Sequence, residues 1–339
     1  MMWYRTFVWG KQHKILTNNT RGITQGDCLS ALLFIFYLAK TIKQLPDRTE
    51  EQDNKHRILW SALDWVIDKD VHKVDINPKY SDDISFIRSD QARISQVERL
   101  IPPMLETNNR QINKSKTEKY HINVERRNDD SWKKCKYLGS RLDTTTDITQ
   151  RKALMTANYN TLGHIFISKH VSEKLKLKLF TTHIECIFLY NSELWTLTKT
   201  LEQQIDSFHR RILRKVIGIR WLERISNTHR YETTKQTAWS INIFKRRLSW
   251  LGHLLRLHKE TPARKVIVEA CKSLKSPRGR PRLTWMQLVL NDFEKYSSIK
   301  LDSQNKNNSI CRLETIASNR KEWNALVHSM MLSRTTSVQ

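Results

Sequence analysis

Two adjacent carboxylates, Asp82 and Asp83, are the residues whose types and spacing most clearly suggest chemistry. They follow Tyr80 and Ser81 and lie between two short segments rich in β-forming residues. This pattern predicts a β-hairpin with the acids at its turn. Neighbouring carboxylates repel each other and resist burial, so a turn presents them to solvent or to hard cations that take oxygen ligands. Acidic turns are common on protein surfaces, and the tetrapeptide alone therefore does not specify a metal site.

The elements around these acids predict mixed secondary structure. A hairpin is predicted over residues 4–16, and the apolar segment 31–39 predicts a buried helix capped by Ser30. A helix is predicted over residues 89–105, interrupted near its end by two prolines, and a strand is predicted through Tyr120, Ile122 and Val124. The threonine-rich segment 144–147 predicts a boundary loop.

From residue 148 the sequence is typical of helices. Ser172 is expected to cap a helix over residues 173–190, although the alternation in 174–179 also suits a strand. The clearest amphipathic helix follows a predicted capping box at 200–203 and ends at Gly218. Its apolar stripe comprises Leu201, Ile205, Phe208, Ile212 and Val216, and its basic side comprises Arg210, Arg211, Arg214 and Lys215.

The segments beyond residue 220 contain recurrent tryptophans among basic residues. These tryptophans are expected to be mostly core anchors of short helices rather than base-stacking platforms. The segment 275–282 predicts a basic linker, and 302–309 predicts a mobile loop.

The charge is large and uneven. The chain of 339 residues has 59 basic and 34 acidic residues, a formal charge of +25. Residues 1–150 carry 25 basic and 20 acidic residues, which leaves a net charge of +20 for residues 151–339. This asymmetry predicts a polyanionic partner for the second half, nucleic acid before membrane.

Several classes of protein are disfavoured by composition. The longest apolar run, residues 31–39, is far shorter than the ~18 residues of a membrane-spanning helix. The first residues lack the architecture of a signal peptide, and five scattered cysteines suit a reducing compartment. We therefore expect an intracellular protein, nuclear or cytoplasmic, of about two domains, with no membrane partner. The oligomeric state stays open.

Three motifs in this order resemble the reverse transcriptases of LINE-type (non-LTR) retrotransposons. They are Gly22-x-x-Gln25-Gly26-x-x-Leu29-Ser30, Tyr80-Ser-Asp-Asp83 and Tyr137-Leu-Gly139. The resemblance continues in segments 189–195, 210–221, 250–253 and 279–285, and so spans roughly residues 5–290.

The resemblance implies an α+β fold with three parts. A partial polymerase palm, a small antiparallel sheet with packed helices, is expected over residues 1–143. A helical thumb is expected over 144–220, and a basic, mostly helical region that binds nucleic acid over 221–339.

The resemblance also implies roles for individual residues. Asp82 would bind two Mg²⁺ ions, assisted by Asp83, for nucleotidyl transfer. Lys116, in Asn113-x-x-Lys116-Thr117, would neutralise or protonate the departing pyrophosphate, although a solvated lysine fits the sequence nearly as well. Contacts to the RNA template or incoming nucleotide would come from Gly22, Gln25, Gly26 and Tyr80. The primer grip would be Tyr137, Leu138 and Gly139, and the basic helix faces would hold the duplex with the DNA primer through its phosphates.

Departures from the family pattern limit the expected activity. Ser81, Ala31 and Asn191 replace a usual alanine, proline and glycine, and are tolerable changes. The family's first metal-binding aspartate, however, precedes the glutamine-glycine motif, and residues 1–21 contain no Asp or Glu. We therefore expect the C-terminal portion of a reverse transcriptase, with weak Mg²⁺ binding and little or no polymerase activity.

Two alternatives remain at this point. The chain could be a non-catalytic DNA- or RNA-binding remnant that acts through its thumb and tail. Pro277-Arg-Gly-Arg-Pro281 resembles an AT-hook. In that case Arg278 and Arg280, followed here by Arg282, would enter a narrow minor groove. Alternatively, the segment is a basic linker that contacts phosphates alone. The palm could also come from a group II intron maturase or a viral RNA polymerase.

Overall fold

A computed structural model describes two compact units, Met1–Thr117 and Glu118–Gln339. In the first unit it describes the backbone of three pairs of strands between residues 2 and 88, helical positions between 95 and 106, and residues 112–117. In the second it describes residues 118–120, 131–219, 226–259, 261–272, 283–299 and 306–338. The predicted helix 31–39 and the linker 275–282 lie outside the described residues. The predicted division at residues 143 and 220 stays a prediction.

The described residues of the first unit form two hairpins. Strands β1 (Met2–Val8) and β2 (Lys11–Thr17) are antiparallel, with Met2 opposite Thr17 and Val8 opposite Lys11. This confirms the hairpin predicted over residues 4–16. The second hairpin consists of two short antiparallel pairs. Strand β3 (Asp75–Ile76) pairs with β6 (Ile87–Arg88), and β4 (Lys79–Tyr80) pairs with β5 (Asp83–Ile84).

The second unit is mostly helical. A 3₁₀ turn at Ser131–Lys134 leads into a small hairpin of β7 (Lys136–Tyr137) and β8 (Ser140–Arg141). The helices are α1 (Thr144–Thr161), α2 (Gly163–Ile167), α3 (Glu173–Leu179), α4 (Cys186–Phe188), α5 (Lys199–Ile217), α6 (Asn227–Thr234), α7 (Trp239–Arg256), α8 (Pro262–Lys272), α9 (Trp285–Tyr296), α10 (Lys306–Ser318) and α11 (Arg320–Val338). A π-helix, Phe180–Glu185, joins α3 to α4. The α+β class is thus confirmed, with small antiparallel strand pairs and a large helical part.

Local capping accounts for the boundaries of α1 and α5, and the structure corrects three predictions. Residues 144–147 form the first turn of α1 rather than a loop, because the Asp143 side chain accepts a hydrogen bond from the Thr146 amide at 2.8 Å. Helix α5 is capped by Thr198 rather than Thr200, and it ends as predicted at Gly218, whose φ is +78°. The polar segment predicted to be mobile is helical from Lys306.

The predicted helix from residue 173 is confirmed over the alternative strand. Ser172 accepts the Leu175 amide at 3.4 Å, and the helical backbone continues through the π-helix to Phe188. The predicted strand through Tyr120 is wrong at that residue, which lies outside any strand, whereas Ile122 and Val124 lie outside the described residues.

Two hydrophobic cores share helix α7. Trp239 and Ile243, at its start, belong to a core that α1, the π-helix and α5 also build. Phe244, Leu248 and Leu251 belong to a second core formed with α9, α10 and α11. Apolar residues therefore occupy nearly one whole side of α7, and this helix joins the two halves of the unit.

Buried ion pairs fix the last helix against the rest. Arg247 on α7 donates to Asp292 on α9 at 2.5 Å. Arg334 on α11 donates to Glu202 on α5 at 2.6 Å and lies 3.8 Å from Asp292. Removing one member would leave a buried charge without its partner, so the network couples the position of α5 to that of α11.

Gly252 on α7 permits a close helix contact. A Cβ atom at this position would lie 2.2 Å from Nε1 of Trp323, a fully buried residue of α11. The Trp323 indole donates to the Leu248 carbonyl at 3.0 Å. Burial of Trp239 and Trp323 confirms that these two tryptophans are core anchors. No helix within the described part of the chain is long and apolar enough to cross a membrane.

Candidate nucleic-acid interface

The predicted hairpin is present, but Asp83 is the first residue of strand β5 rather than a turn residue. Tyr80 of β4 pairs with Asp83 of β5, and Ser81 lies outside the described residues. Asp82 itself lies outside the described residues, as do Gly22, Gln25 and Gly26. Two neighbouring carboxylates suit the oxygen donors that Mg²⁺ takes. Across the side chains that the structure describes, no group of three or more His, Cys, Asp or Glu residues could hold a metal ion. The Mg²⁺ site therefore stays a prediction.

Lys116 is exposed on a turn built by its motif neighbours. The Asn113 side chain accepts hydrogen bonds from the amides of Ser115 and Lys116, at 3.1 and 3.2 Å. The Asn113 carbonyl accepts from the Thr117 hydroxyl at 2.9 Å. Asn113 and Thr117 thus shape the turn, and the motif residue left to act on a ligand is Lys116.

Tyr137-Leu138-Gly139 forms a tight hairpin turn. Tyr137 pairs with Ser140, and φ is positive at both central positions, +46° at Leu138 and +81° at Gly139. Two positive φ values characterise the type I′ turn, which favours glycine and tolerates few other residues. The glycine of this motif is therefore required by backbone geometry, and Leu138 is held in a conformation that costs about 1 kcal/mol or more.

This hairpin is clamped onto the helical unit through its backbone. The Tyr190 hydroxyl donates to the Leu138 carbonyl at 3.0 Å, and Arg151 on α1 donates to the Gly139 carbonyl at 2.7 Å. Arg151 also donates to the Ser140 hydroxyl at 2.9 Å, and its guanidinium stacks 4.6 Å from the Tyr190 ring centroid. Asn191 donates to the same hydroxyl at 3.0 Å. Both central carbonyls of the turn therefore accept hydrogen bonds from side chains of the helical part.

Asp147 secures the base of the hairpin. It is 1% exposed, and its two oxygens accept from the Arg141 amide at 2.9 Å and from the Trp195 indole at 2.8 Å. Arg151 lies 3.8 Å from the same carboxylate. The segment 189–195 therefore contacts the hairpin through Tyr190 and its anchoring aspartate through Trp195. Trp285 in turn donates to the Glu193 carbonyl at 2.8 Å.

The predicted basic side of α5 extends onto α1. Arg211, Arg214 and Lys215 are exposed, and Arg210 is half-buried and donates to Ser207 at 3.0 Å. The Arg211 guanidinium lies 5.1 Å from the Phe208 ring centroid. On α1, Lys152 lies 5.6 Å from that centroid, and burial followed by the charge of Arg211 lowers the Lys152 pKa. We call Lys152, Arg211 and Lys215 the α1/α5 basic face.

The same helix carries a buried histidine behind that face. Both ring nitrogens of His209 lack a hydrogen-bond partner among the described residues, and its ring stacks 4.2 Å from Trp239. Burial lowers the pKa of His209 from its ordinary value of 6.5 to about 3, and the charge of Arg210 acts in the same direction. The imidazole is therefore neutral in the folded protein.

The structure brings some of the predicted site residues together and leaves others apart. Tyr137, Leu138 and Gly139 share one turn, and Arg210, Arg211, Arg214 and Lys215 share one helix. Arg278, Arg280 and Arg282 lie outside the described residues. Asp147 and Arg151 were not predicted, because residue 147 was assigned to a loop; once the helix is known, their spacing of four residues indicates a pair.

Comparison with known proteins gives one informative similarity. No family model matches the sequence, and no solved structure matches it. Over 160 residues the chain is 26% identical to an uncharacterized transposon-derived protein of Caenorhabditis elegans. The alignment covers 46% of this chain and 54% of that protein, so the chain spans about half the length of this relative. The similarity points to a transposon origin.

Proposed function

We propose that this chain derives from the reverse transcriptase of a LINE-type retrotransposon and that its helical unit binds the RNA–DNA duplex of such an enzyme. One observation carries the proposal. The segments 137–139 and 189–195, two of the regions on which the sequence resemblance rests, are joined by the hydrogen bond from Tyr190 to Leu138, across 52 residues of chain. Motifs that depend on each other structurally are better support for common descent than separate short matches.

Helix α1 connects the two surfaces that would hold a duplex. Its first turns anchor the hairpin through Asp147 and Arg151, and its next residue, Lys152, belongs to the α1/α5 basic face. The positive charges would contact phosphates without reading base sequence, because salt-dependent counterion release drives such binding. The clamped turn of Leu138 and Gly139 would support the primer end of the duplex.

The catalytic part of the proposal concerns the first unit. Asp82 and Asp83 would supply carboxylate oxygens to Mg²⁺, which when bound activates a primer hydroxyl and stabilises charge on the leaving group. Lys116, exposed on its turn, would offer a cation or proton to the departing pyrophosphate. Residues 1–21 contribute no carboxylate. The polypeptide of residues 1–339 is therefore proposed to bind duplex without sustaining synthesis.

Two assays on the full chain test these statements separately. Fluorescence anisotropy over a salt series should show binding to an RNA–DNA hybrid whose affinity falls steeply with salt, since each phosphate contact contributes ~0.9 to the logarithmic slope. Failure to bind any hybrid at low salt would refute the duplex proposal. Primer extension on an RNA template with Mg²⁺ should give no product above background, and robust synthesis would refute the proposed lack of polymerase activity.

A further inference from the structure

A groove lined by polar, charged and aromatic side chains runs along α7, on the side away from the apolar residues of that helix. Its volume is about 630 Å³, within the ~300–1,000 Å³ typical of ligand sites. One wall comes from the π-helix and the segment after it, including Glu185 and Glu193. We call this the α7 groove. Its other wall consists of Asn242, Lys245, Arg246, Ser249, Trp250 and His253.

The spacing of that second wall is helical. Its members recur every three or four residues, so they form one stripe along α7. The opposite side of the helix is buried in the two cores. This stripe is polar and basic apart from one aromatic residue, and its residues do not pack in either hydrophobic core.

Trp250 differs from the core tryptophans of this unit. Four others donate their indole N–H groups to protein oxygens: Trp195, Trp239, Trp285 and Trp323. Among the described residues no acceptor receives the indole N–H of Trp250, which is partly exposed at the groove. Its ring stacks on His253, with centroids 5.2 Å apart and planes 27° apart. The pair forms a supported flat surface beside the groove, the kind of surface on which a base stacks.

The two basic residues Lys245 and Arg246 of the α7 groove differ in their interactions with the rest of the protein. Arg246 donates to the Leu189 carbonyl at 2.7 Å and lies 3.9 Å from Glu193, so the protein already engages it. Lys245, next to it in sequence, is exposed and has no side-chain partner among the described residues. A lysine in this state is available to a phosphate group.

The groove also offers groups for the edge of a base. The half-buried Glu193 carboxylate accepts hydrogen bonds, and the half-buried Asn242 amide both donates and accepts. The opposite wall is built on a π-helix, a rare irregularity that is frequent at functional sites. Here it includes Glu185, whose carboxylate accepts the Trp239 indole at 2.6 Å.

We propose that the α7 groove binds an unpaired nucleotide of a nucleic-acid strand, with the base stacked on Trp250 and the adjoining phosphate bound by Lys245. A base pair within a duplex does not expose the face that Trp250 would cover, so the groove selects single strands. The α7 groove is separate from the α1/α5 basic face and would bind a different ligand, a single strand rather than a duplex. RNA and DNA strands share the recognised chemistry.

The test measures anisotropy of the full chain with labelled 12-nucleotide RNA, 12-nucleotide DNA and a 12-base-pair RNA–DNA hybrid. Trp250→Ala should weaken binding to the single strands about tenfold, because stacking on an aromatic ring contributes ~1–3 kcal/mol per base. Binding of the hybrid should change less than twofold. A greater loss with RNA than with DNA would identify RNA as the preferred source, and the reverse result would identify DNA.

Two further variants separate stacking from structural damage. Trp250→Phe keeps a flat ring and should lose less than threefold in single-strand affinity. Lys245→Gln should lower the logarithmic salt slope for the RNA strand by about 0.7, whereas the matched exposed lysine variant Lys321→Gln should leave it unchanged.

Unchanged single-strand affinity in Trp250→Ala would overturn the proposal, and so would equal losses for single strands and hybrid. If Trp250→Ala does not fold, wild-type behaviour of Lys245→Gln overturns it instead. The result is independent of the duplex proposal, since variants of the α1/α5 basic face should lose the hybrid while keeping the single strands.

Discussion

The contact between Gly252 and Trp323 makes a quantitative prediction for Gly252→Ala. The added methyl carbon would lie 2.2 Å from Nε1 and 2.6 Å from two further indole atoms, whereas favourable contacts begin near 3.5 Å. The buried indole must therefore move by roughly 1 Å. Such overpacking typically costs ~1–3 kcal/mol. The movement also strains the hydrogen bond from Trp323 to the Leu248 carbonyl, whose loss would cost ~1–3 kcal/mol in a buried site.

A compensating gain reduces this cost. Alanine is favoured over glycine inside a helix by ~1 kcal/mol. We therefore predict a net loss of about 3 kcal/mol in the free energy of unfolding, measured by urea denaturation followed by circular dichroism. Gly163→Ala is the matched control, because a Cβ atom there would meet nothing within 4 Å. That variant should be neutral or slightly stabilised.

A double-mutant cycle identifies the clash as the cause. Trp323→Leu removes the indole ring that the new methyl group would strike, so Gly252→Ala should cost less than 1 kcal/mol in that background. The packing argument is wrong if Gly252→Ala costs under 1 kcal/mol in the otherwise wild-type chain. It is also wrong if the cost is the same in both backgrounds.

Three further substitutions test the interior and the hairpin. The His209 pKa is about 3 in the folded chain and 6.5 ordinarily, so the unfolded chain binds an extra proton as the pH falls below 6.5. The free energy of unfolding should therefore fall by about 2 kcal/mol from pH 7 to pH 5. In urea titrations at both pH values, His209→Phe should remove this part of the pH dependence. Asp147→Asn should destabilise by about 3 kcal/mol in thermal melts, since an amide cannot accept from both the Arg141 amide and the Trp195 indole. Gly139→Ala should cost about 1 kcal/mol in urea denaturation through its φ of +81° alone, because its Cβ would make an ordinary 3.7 Å contact. An unchanged pH dependence, an unaffected melting temperature, or a stabilised Gly139→Ala chain would contradict the respective arguments.

Periodic and capping signals predicted much of the helical unit. The stripe of α5 at Ile205, Phe208, Ile212 and Val216 is buried as expected, and Gly218 ends that helix. The helix after Ser172 was also predicted. These features are local, because a helix's apolar spacing and caps are determined by residues within a few turns.

The errors arose where distant contacts override local preference. Three consecutive threonines before Asp147 suggested a loop, yet the buried carboxylate binds a strand amide and a tryptophan 48 positions away, and the helix begins there. Contacts between residues so far apart in the chain produce no periodic pattern in the sequence. The same limit applies to the candidate site, since the sequence identified Tyr137, Leu138 and Gly139 but not Arg151, which holds them.

The tryptophans illustrate the same limit in another way. The sequence predicted that most of them are core anchors, and Trp239 and Trp323 are fully buried. Trp250 lies on the polar stripe of α7, which its spacing from Asn242 and Lys245 could have indicated. The sequence predicts on which face of a helix a side chain lies. The groove that the side chain lines depends also on how the π-helix on the opposite wall packs.

Binding of an RNA–DNA hybrid by Arg211→Gln/Lys215→Gln tests the central claim most directly. Both side chains are exposed on the α1/α5 basic face, so the substitutions should leave the fold intact. Loss of two phosphate contacts should reduce affinity about fiftyfold at 0.1 M salt and lower the logarithmic salt slope by about 1.8. The exposed pair Lys259→Gln/Lys321→Gln, with the same change in charge, should change affinity by less than threefold. Equal effects of the two double variants would show that total charge, and not this face of the helical unit, binds the duplex.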